Sequence, residues 1–483
     1  MMDENRKIFS NLIWRFLERS GAQLVSFIVS LVLARILLPE DYGIIALITV
    51  FTALLQVFVD SGLGNALIQK KDADDLDFST VFFANIAFCI ILYASMFAAA
   101  PAISRFYGDM PVSYIRVLSL TILISGIKNV QQAYVSRHMM FKKFFFSTLS
   151  GTILAGMIGI VMALNGMGVW ALIAQQVINL TVDTIILWIT VKWRPYLKFS
   201  FHRMRELFSF GWKLLVSSLI DTIYNDLRQL VIGKMYSSAD LAYYNKAKQF
   251  PNLIIANINT SIDSVLLPAM SNVQDNKEHI KGMTRRSIKT SIYVMAPLMM
   301  GMAFAAKPMI SLLLTDKWLL CVPYVRIFCI TYMFYPVHTA NLSAIKAMGR
   351  SDLFLKLEII KKAFGVVLLL STMWFGVMAM AYSLLVSSIF GQIVNSWPNR
   401  KLLNYGYLEQ LKDILPGIGL AVVMGICISF IELFPLPIIL IVVIQIIAGA
   451  LIYITLSAVL HLESFEYLWK LLKSNFKKII KKG

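Results

Sequence analysis

Acidic side chains are scarce in this chain. Its 483 residues hold 27 Asp and Glu against 45 Lys and Arg, and charged residues make up only 15% of the total. Ordinary soluble domains carry nearer a quarter, so with 58% hydrophobic residues and a mean hydropathy of +0.70 a polytopic membrane protein is expected. Cysteine is nearly missing: Cys89, Cys321, Cys329 and Cys427 all lie in apolar stretches without C-x-x-C spacing, and read as small buried hydrophobes. Five scattered histidines with no H-E-x-x-H offer no metal site. There is no Walker A lysine motif, no G-x-S-x-G and no large polar connection on the outer side, so neither an enzyme nor a nucleotide-driven pump is expected. No cofactor is implied; the remaining energy sources are a proton or sodium gradient, or the substrate gradient.

What is abundant is long apolar runs. They place spans near 20–38, 44–62, 79–101, 115–136, 147–164, 168–190, 209–232, 250–269, 289–306, 321–341, 359–375, 378–396, 414–432 and 435–458. The run at 359–396 is broken only by "WFGVMAM", where Gly376 is the expected hairpin turn, so thirteen or fourteen spans are both compatible with the pattern. The first residues, with Arg15, Glu18 and Arg19 well inside, lack the form of a signal peptide and read as an interfacial amphipathic helix leading into the first span.

The net charge of +18 would suggest nucleic acid in a soluble protein, but the basic residues lie between hydrophobic runs, so the phospholipid surface is the expected partner. Alternate connections hold 33 basic residues on one side and 7 on the other. By the positive-inside bias, the richer side is cytoplasmic and both termini lie there. The five left over, Arg35, Lys128, Lys213, Arg228 and Arg326, fall in or near spans.

An offset of 199 superimposes "ARILLPEDYG" (34–43) on "GKMYSSADLA" (233–242), with Arg35 on Lys234 and Asp41 on Asp240. Six spans separate the copies, which makes parallel repeats. The expected organisation is an all-α membrane protein of about 14 helices. A six-helix bundle at 1–190 and a basic amphipathic linker at 191–208 precede a second six-helix bundle at 209–396. Two further helices at 397–458 and a basic tail at 459–483 complete it, with a central cavity between the bundles.

Ionised groups in hydrocarbon cost at least about 2.5 kcal/mol each, so those inside spans need water, a partner or an escape to the interface. Asp221, Asn225 and Arg228 share one face of the seventh span, with Tyr224 beside them. Together with Arg35, Lys128 and Arg326 they are the candidate substrate-binding residues, since guanidinium forks match phosphate oxygens and lysine adds a mobile charge. Asp60, Asp183, Asp221 and Asp263 are candidates for ion coupling or for structural pairing. Each of these residues also has a plain reading as a helix-pairing, capping or snorkelling group. The nine tryptophans lie mostly near expected interfaces and form an aromatic belt.

Four stretches, "ARILLPEDYGIIAL" (34–47), "DSGLGNALIQKKD" (60–72), "FSFGWKLLVSSLIDTIYNDLRQLVIGKMYSS" (208–238) and "LAYYNKAKQFPN" (241–252), resemble bacterial polysaccharide flippases of the multidrug/oligosaccharidyl-lipid/polysaccharide exporter superfamily. The resemblance covers essentially the first twelve spans. It implies two six-helix bundles around a cavity open to either side in turn, located in the bacterial inner membrane. Its implied substrate is a polyprenyl-pyrophosphate-linked oligosaccharide moved to the outer leaflet for surface polysaccharide synthesis, with polysaccharide polymerase and export machinery as further partners. Cavity arginines of such flippases receive pyrophosphate or acidic sugars, and by position Arg35, Arg228 and Arg326 are nearest to that role. Multidrug relatives carry ion-coupling acids in the first helix; residues 22–38 here hold none. The alternatives are an ion-coupled multidrug exporter and a non-transporting scaffold of a polysaccharide assembly complex.

Overall fold

Long apolar runs leave the backbone no water to bond with, so helices are the required local structure. The computed structural model describes residues 2–60 and 63–480, and it is helical nearly throughout. Ser61 and Gly62 of the quoted "DSGLGN", and residues 481–483 of the expected tail, lie outside the described residues. The chain divides into two compact units, Met1–Ala242 and Tyr243–Gly483.

The first unit contains α1 (Met2–Ile36), α2 (Pro39–Asp60), α3 (Leu63–Gln69), α4 (Asp75–Phe106), α5 (Val112–Leu118), α6 (Leu120–Arg137), α7 (Phe141–Leu164), α8 (Val169–Thr190) and α9 (Phe201–Met235). Next, α10 (Ser238–Ser271) carries the chain into the second unit, which holds α11 (Lys277–Phe304), α12 (Ala306–Leu314), α13 (Val322–Met333) and α14 (Tyr335–Ala347). It ends with α15 (Ser351–Thr372), α16 (Val377–Leu402), α17 (Tyr407–Ser429), α18 (Ile438–Val459) and α19 (Glu463–Ile480).

Among the described residues each expected span falls mostly on helix, and Gly376, at φ +98°, turns the chain from α15 into α16. Among the described residues nine helical segments are long and apolar enough to cross a membrane, ten if the pair α11 and α12, bent by 71°, counts as one. The all-α polytopic membrane class is therefore established. The helices at the other expected spans include α9, which carries Lys213, Asp221, Asp226 and Arg228, and α15, which carries Glu358, Lys361 and Lys362. Their charge is what separates them from the purely apolar segments.

The two copies of the 199-residue repeat have the same local structure. In the first, the Leu38 N–H donates to Asp41 Oδ2 at 3.1 Å, and in the second the Ser237 N–H donates to Asp240 Oδ2 at 3.2 Å. Each aspartate thus holds a backbone donor at a helix start that would otherwise lack an acceptor. The two turns also meet. A Cβ added at Gly43 would stand 1.8 Å from the Ser238 carbonyl oxygen, and one at Gly233 would stand 1.9 Å from Leu47 Cδ1. Ala34 and Ala242, the repeat equivalents of Gly233 and Gly43, are fully buried. Small residues let the helix ends approach this closely.

At the opposite end of the first unit, polar groups do the fastening. Asp74 caps α4 in a capping box with Asp77. The buried Asp77 carboxylate takes Lys70 at 3.1 Å and Arg203 at 3.2 Å, and Lys70 also reaches Glu206 at 3.1 Å. Arg137 at the end of α6 donates to the carbonyls of Leu67, Lys70 and Lys71. Of the expected linker, 191–200 is not helical, and 201–208 opens α9. It is tied down by bonds from Gln131 to the Trp193 carbonyl, from the Tyr196 N–H to Ser79 and from the Ser200 N–H to Thr80. Trp193 itself is buried against Phe78, Phe82 and Tyr134.

Candidate functional site

The polar face of α9 is where the sequence pattern placed it. Asp221 and Asn225 are exposed, and Tyr224 and Arg228 are half-buried. Arg228 lies seven residues before the helix end at Met235, about 10 Å along the axis, and Asp221 lies about 20 Å from it. If α9 crosses the bilayer, those depths lie within its hydrocarbon layer. Asp226, off that face, accepts a bond from Gln229 at 2.8 Å.

Lys128 and Asp183 are brought together as an ion pair at 2.5 Å between α6 and α8, with side chains only 12% and 7% exposed. Asp183 sits about 10 Å from the end of α8, so this pair joins two helices within the membrane layer and each charge answers the other. Asp60, at the end of α2, accepts bonds from Gln56 at 3.0 Å and from Asn129 of α6 at 3.1 Å. Asp263 of α10 accepts from Ser343 of α14 at 2.9 Å. Arg326 of α13 is exposed and donates through Nε to the Ala303 carbonyl at 3.3 Å. Arg35, one residue before the end of α1, is exposed as well. Its repeat counterpart Lys234 bonds to the Phe106 carbonyl and lies 3.9 Å from the centre of the Phe106 ring, a cation set on the C-terminus of α4.

Outside the membrane layer, the Arg203 guanidinium bonded to Asp74 holds that carboxyl down at about 2. No group of three or more His, Cys, Asp or Glu side chains able to hold a metal ion occurs among the described residues.

The sequence reading missed a buried polar network in the second unit. His338 bonds Asn395 at 3.0 Å and approaches Ser388 at 3.4 Å. One turn further along α14, Asn341 bonds both Gln410 of α17 at 2.9 Å and Asn399 of α16 at 2.7 Å. Lys361 pairs with Glu358 at 2.6 Å on α15. The available signal was the spacing of Gln392, Asn395 and Asn399 at i, i+3 and i+7 in an apolar helix, the same rule that found the α9 face. Where α11 meets α17, Arg285 forms a two-pronged bond with Asp413 at 2.8 Å on each side, and Tyr405 donates to the same carboxylate.

A family model for "polysaccharide biosynthesis protein" matches residues 32–323. Among curated proteins, the teichuronic acid biosynthesis protein TuaB of Bacillus subtilis is 24% identical over 385 residues, 78% of each chain. The succinoglycan biosynthesis transport protein ExoT of Rhizobium meliloti is 24% identical over 314 residues, 65% of this chain and 64% of that protein. Among solved structures, the lipid II flippase MurJ in an inward closed conformation superimposes with a TM-score of 0.73 at 16% identity, over 93% of this chain and 99% of that one. The superposition on MurJ shows a shared fold, and with the family model covering more than half its length, the chain belongs to the polysaccharide biosynthesis protein family.

Proposed function

We infer that this protein is an alternating-access flippase. It moves an anionic, polyprenyl-pyrophosphate-linked oligosaccharide from the cytoplasmic to the outer leaflet for surface polysaccharide synthesis. The supporting observation is the exposed, charged face of α9 at membrane depth, carried by a chain of this family. Asp221, Asn225 and Arg228 would be untenable against lipid tails, and a water-filled passage gives them a place. Two six-helix bundles at 1–190 and 209–396 form that passage. Fourteen spans put both termini in the cytoplasm of the bacterial inner membrane, and the last two helices flank the second bundle. Rocking of one bundle against the other exposes the headgroup to each side in turn while the polyprenyl tail stays in lipid.

Within this reading the residues take separate roles. Arg228 and Arg326, with Arg35 near the outer rim, receive the pyrophosphate, and Tyr224 and Asn225 contact the sugars. Lys128 and Asp183 fasten α6 to α8 rather than meeting substrate, because each already answers the other's charge. Asp60, Asp221 and Asp263 remain the candidates for proton or sodium coupling, Asp60 and Asp263 each bonded to neutral side chains.

The test is reconstitution in vesicles with a fluorescent pyrophosphate-linked oligosaccharide on a polyprenyl chain. Arg228→Gln with Arg326→Gln lowers translocation about tenfold or more, the scale of a lost charge-assisted hydrogen bond, while the protein remains folded and inserted. Unchanged translocation by the double variant removes the cation-lined passage. Translocation of a cationic dye in place of the lipid would establish a multidrug exporter instead.

A further inference from the structure

A groove of about 470 Å³ runs between α6 and α8, apart from the residues assigned to substrate. Its walls are Ile124 and Ile127 of α6 and Ile185, Trp188 and Ile189 of α8, and Arg194 stands at its mouth. Thr181 and Thr184 also line it, but their hydroxyls donate to the carbonyls of Val177 and Leu180 in their own helix, which leaves methyl groups to face the groove. Trp188 closes one end by donating from its indole nitrogen to the Ile127 carbonyl across the gap at 3.3 Å. The Lys128–Asp183 pair, one residue from Ile127 and from Thr184, is what holds the two helices together behind this wall.

The mouth is charged. Arg194 donates through Nη1 to the carbonyls of Val191 at 2.6 Å and Trp193 at 2.7 Å and through Nη2 to that of Trp188, and its guanidinium lies 5.2 Å from the centre of the Trp188 ring. Lys143 donates to the Thr190 carbonyl at 2.7 Å. Two cations therefore cover the C-terminus of α8, more charge than a helix dipole of about half an elementary charge requires. Three carbonyls hold the guanidinium in place, yet Arg194 is exposed and its Nε–H meets no protein acceptor among the described residues. An immobilised donor beside an indole, above an apolar slot, matches a lipid phosphate with an acyl chain below it.

We propose that this groove binds one anionic glycerophospholipid from the leaflet next to the basic connections, its phosphate on Arg194 and one acyl chain between α6 and α8. The site is separate from the substrate path of the proposed function and does not depend on it.

Trp188 in the wall is its own reporter. In vesicles of phosphatidylcholine containing either brominated phosphatidylglycerol or brominated phosphatidylcholine, the quenching specific to Trp188 is the difference between the wild type and Trp188→Phe. Brominated phosphatidylglycerol is favoured about fivefold, as expected of one cation at an anionic site. Arg194→Gln removes that preference. Because it also removes a helix cap, Thr181→Phe serves as the second variant: it fills the slot with Arg194 intact and abolishes quenching at Trp188 by both lipids. Equal quenching of the wild type by the two lipids would mean ordinary boundary lipid and would overturn the proposal. So would displacement of the bromolipid by polyprenyl phosphate but not by unlabelled phosphatidylglycerol, which would assign the groove to the substrate tail.

Discussion

The turn between α1 and α2 and the turn between α9 and α10 meet at one end of the first unit through close backbone packing. Gly43 lies against the Ser238 carbonyl, Gly233 lies under Leu47, and a carboxylate caps each new helix. At the other end the helices are laced by Lys70, Asp74, Asp77, Arg137, Arg203 and Glu206. The two ends teach different lessons about what a substitution breaks. The first depends on the absence of atoms and tolerates no bulk. The second depends on charge, so it responds to pH and salt and has several partly redundant partners.

The largest effect is expected at Gly43. Gly43→Val places its Cβ against backbone, which has no rotamer to change, and destabilises the unit by about 3 kcal/mol, the upper end for overpacking. The thermal midpoint in detergent falls accordingly. Gly233→Val meets only the end of a leucine side chain, so its loss is smaller and Leu47→Ala recovers part of it. Equal losses at the two glycines, without rescue, would mean that the crossing is not set by these contacts.

At the charged end, Asp77→Asn is expected to cost about 2 kcal/mol, the scale of hydrogen bonds to charged groups, because its carboxylate is fully buried under Lys70 and Arg203. Raising the salt concentration narrows the gap between this variant and the wild type. It leaves the Gly43→Val gap unchanged, which makes ionic strength the cleanest way to separate the two ends. Asp41→Ala and Asp240→Ala come next, about 1 kcal/mol each as lost caps. Near-equal values would support the repeat as a structural equivalence, and hydrogen exchange at the starts of α2 and α10 reads them separately.

Much of this was legible in the sequence because long apolar runs admit few structures. The expected spans fall largely on helices, nine or ten of which are long and apolar enough among the described residues to cross a membrane, and the offset that set Asp41 on Asp240 located two caps of the same geometry. The α9 face was legible from the spacing of Asp221, Asn225 and Arg228. Contacts between distant stretches were not. Lys128 and Asp183 are 55 residues apart and each was read as a separate group, yet they form one pair. Nothing local in "HTANLS" or "GQIVNSWPN" states that His338, Asn341, Asn395 and Asn399 converge; only helix packing does so. The groove beside Arg194 escaped for the same reason, since its walls come from helices separated by all of α7.

The smallest effect, and the one that most sharpens the contrast between the ends, comes from Asp74. Its bond with Arg203 holds the carboxyl at about 2, below the ordinary value near 3.9 of an unfolded chain. A lowered folded-state value means that the stabilisation is complete above about pH 5 and is lost as the pH falls towards 2. Asp74→Asn lacks this term at every pH. The difference in thermal midpoint between wild type and variant should therefore be constant from neutral pH to about pH 5 and then shrink on further acidification. Because the side chain is 52% exposed, water screens the pair and the difference is modest throughout. A gap that instead widened on acidification would place the stabilising interaction on the protonated carboxyl, and the charged description of this end would fail.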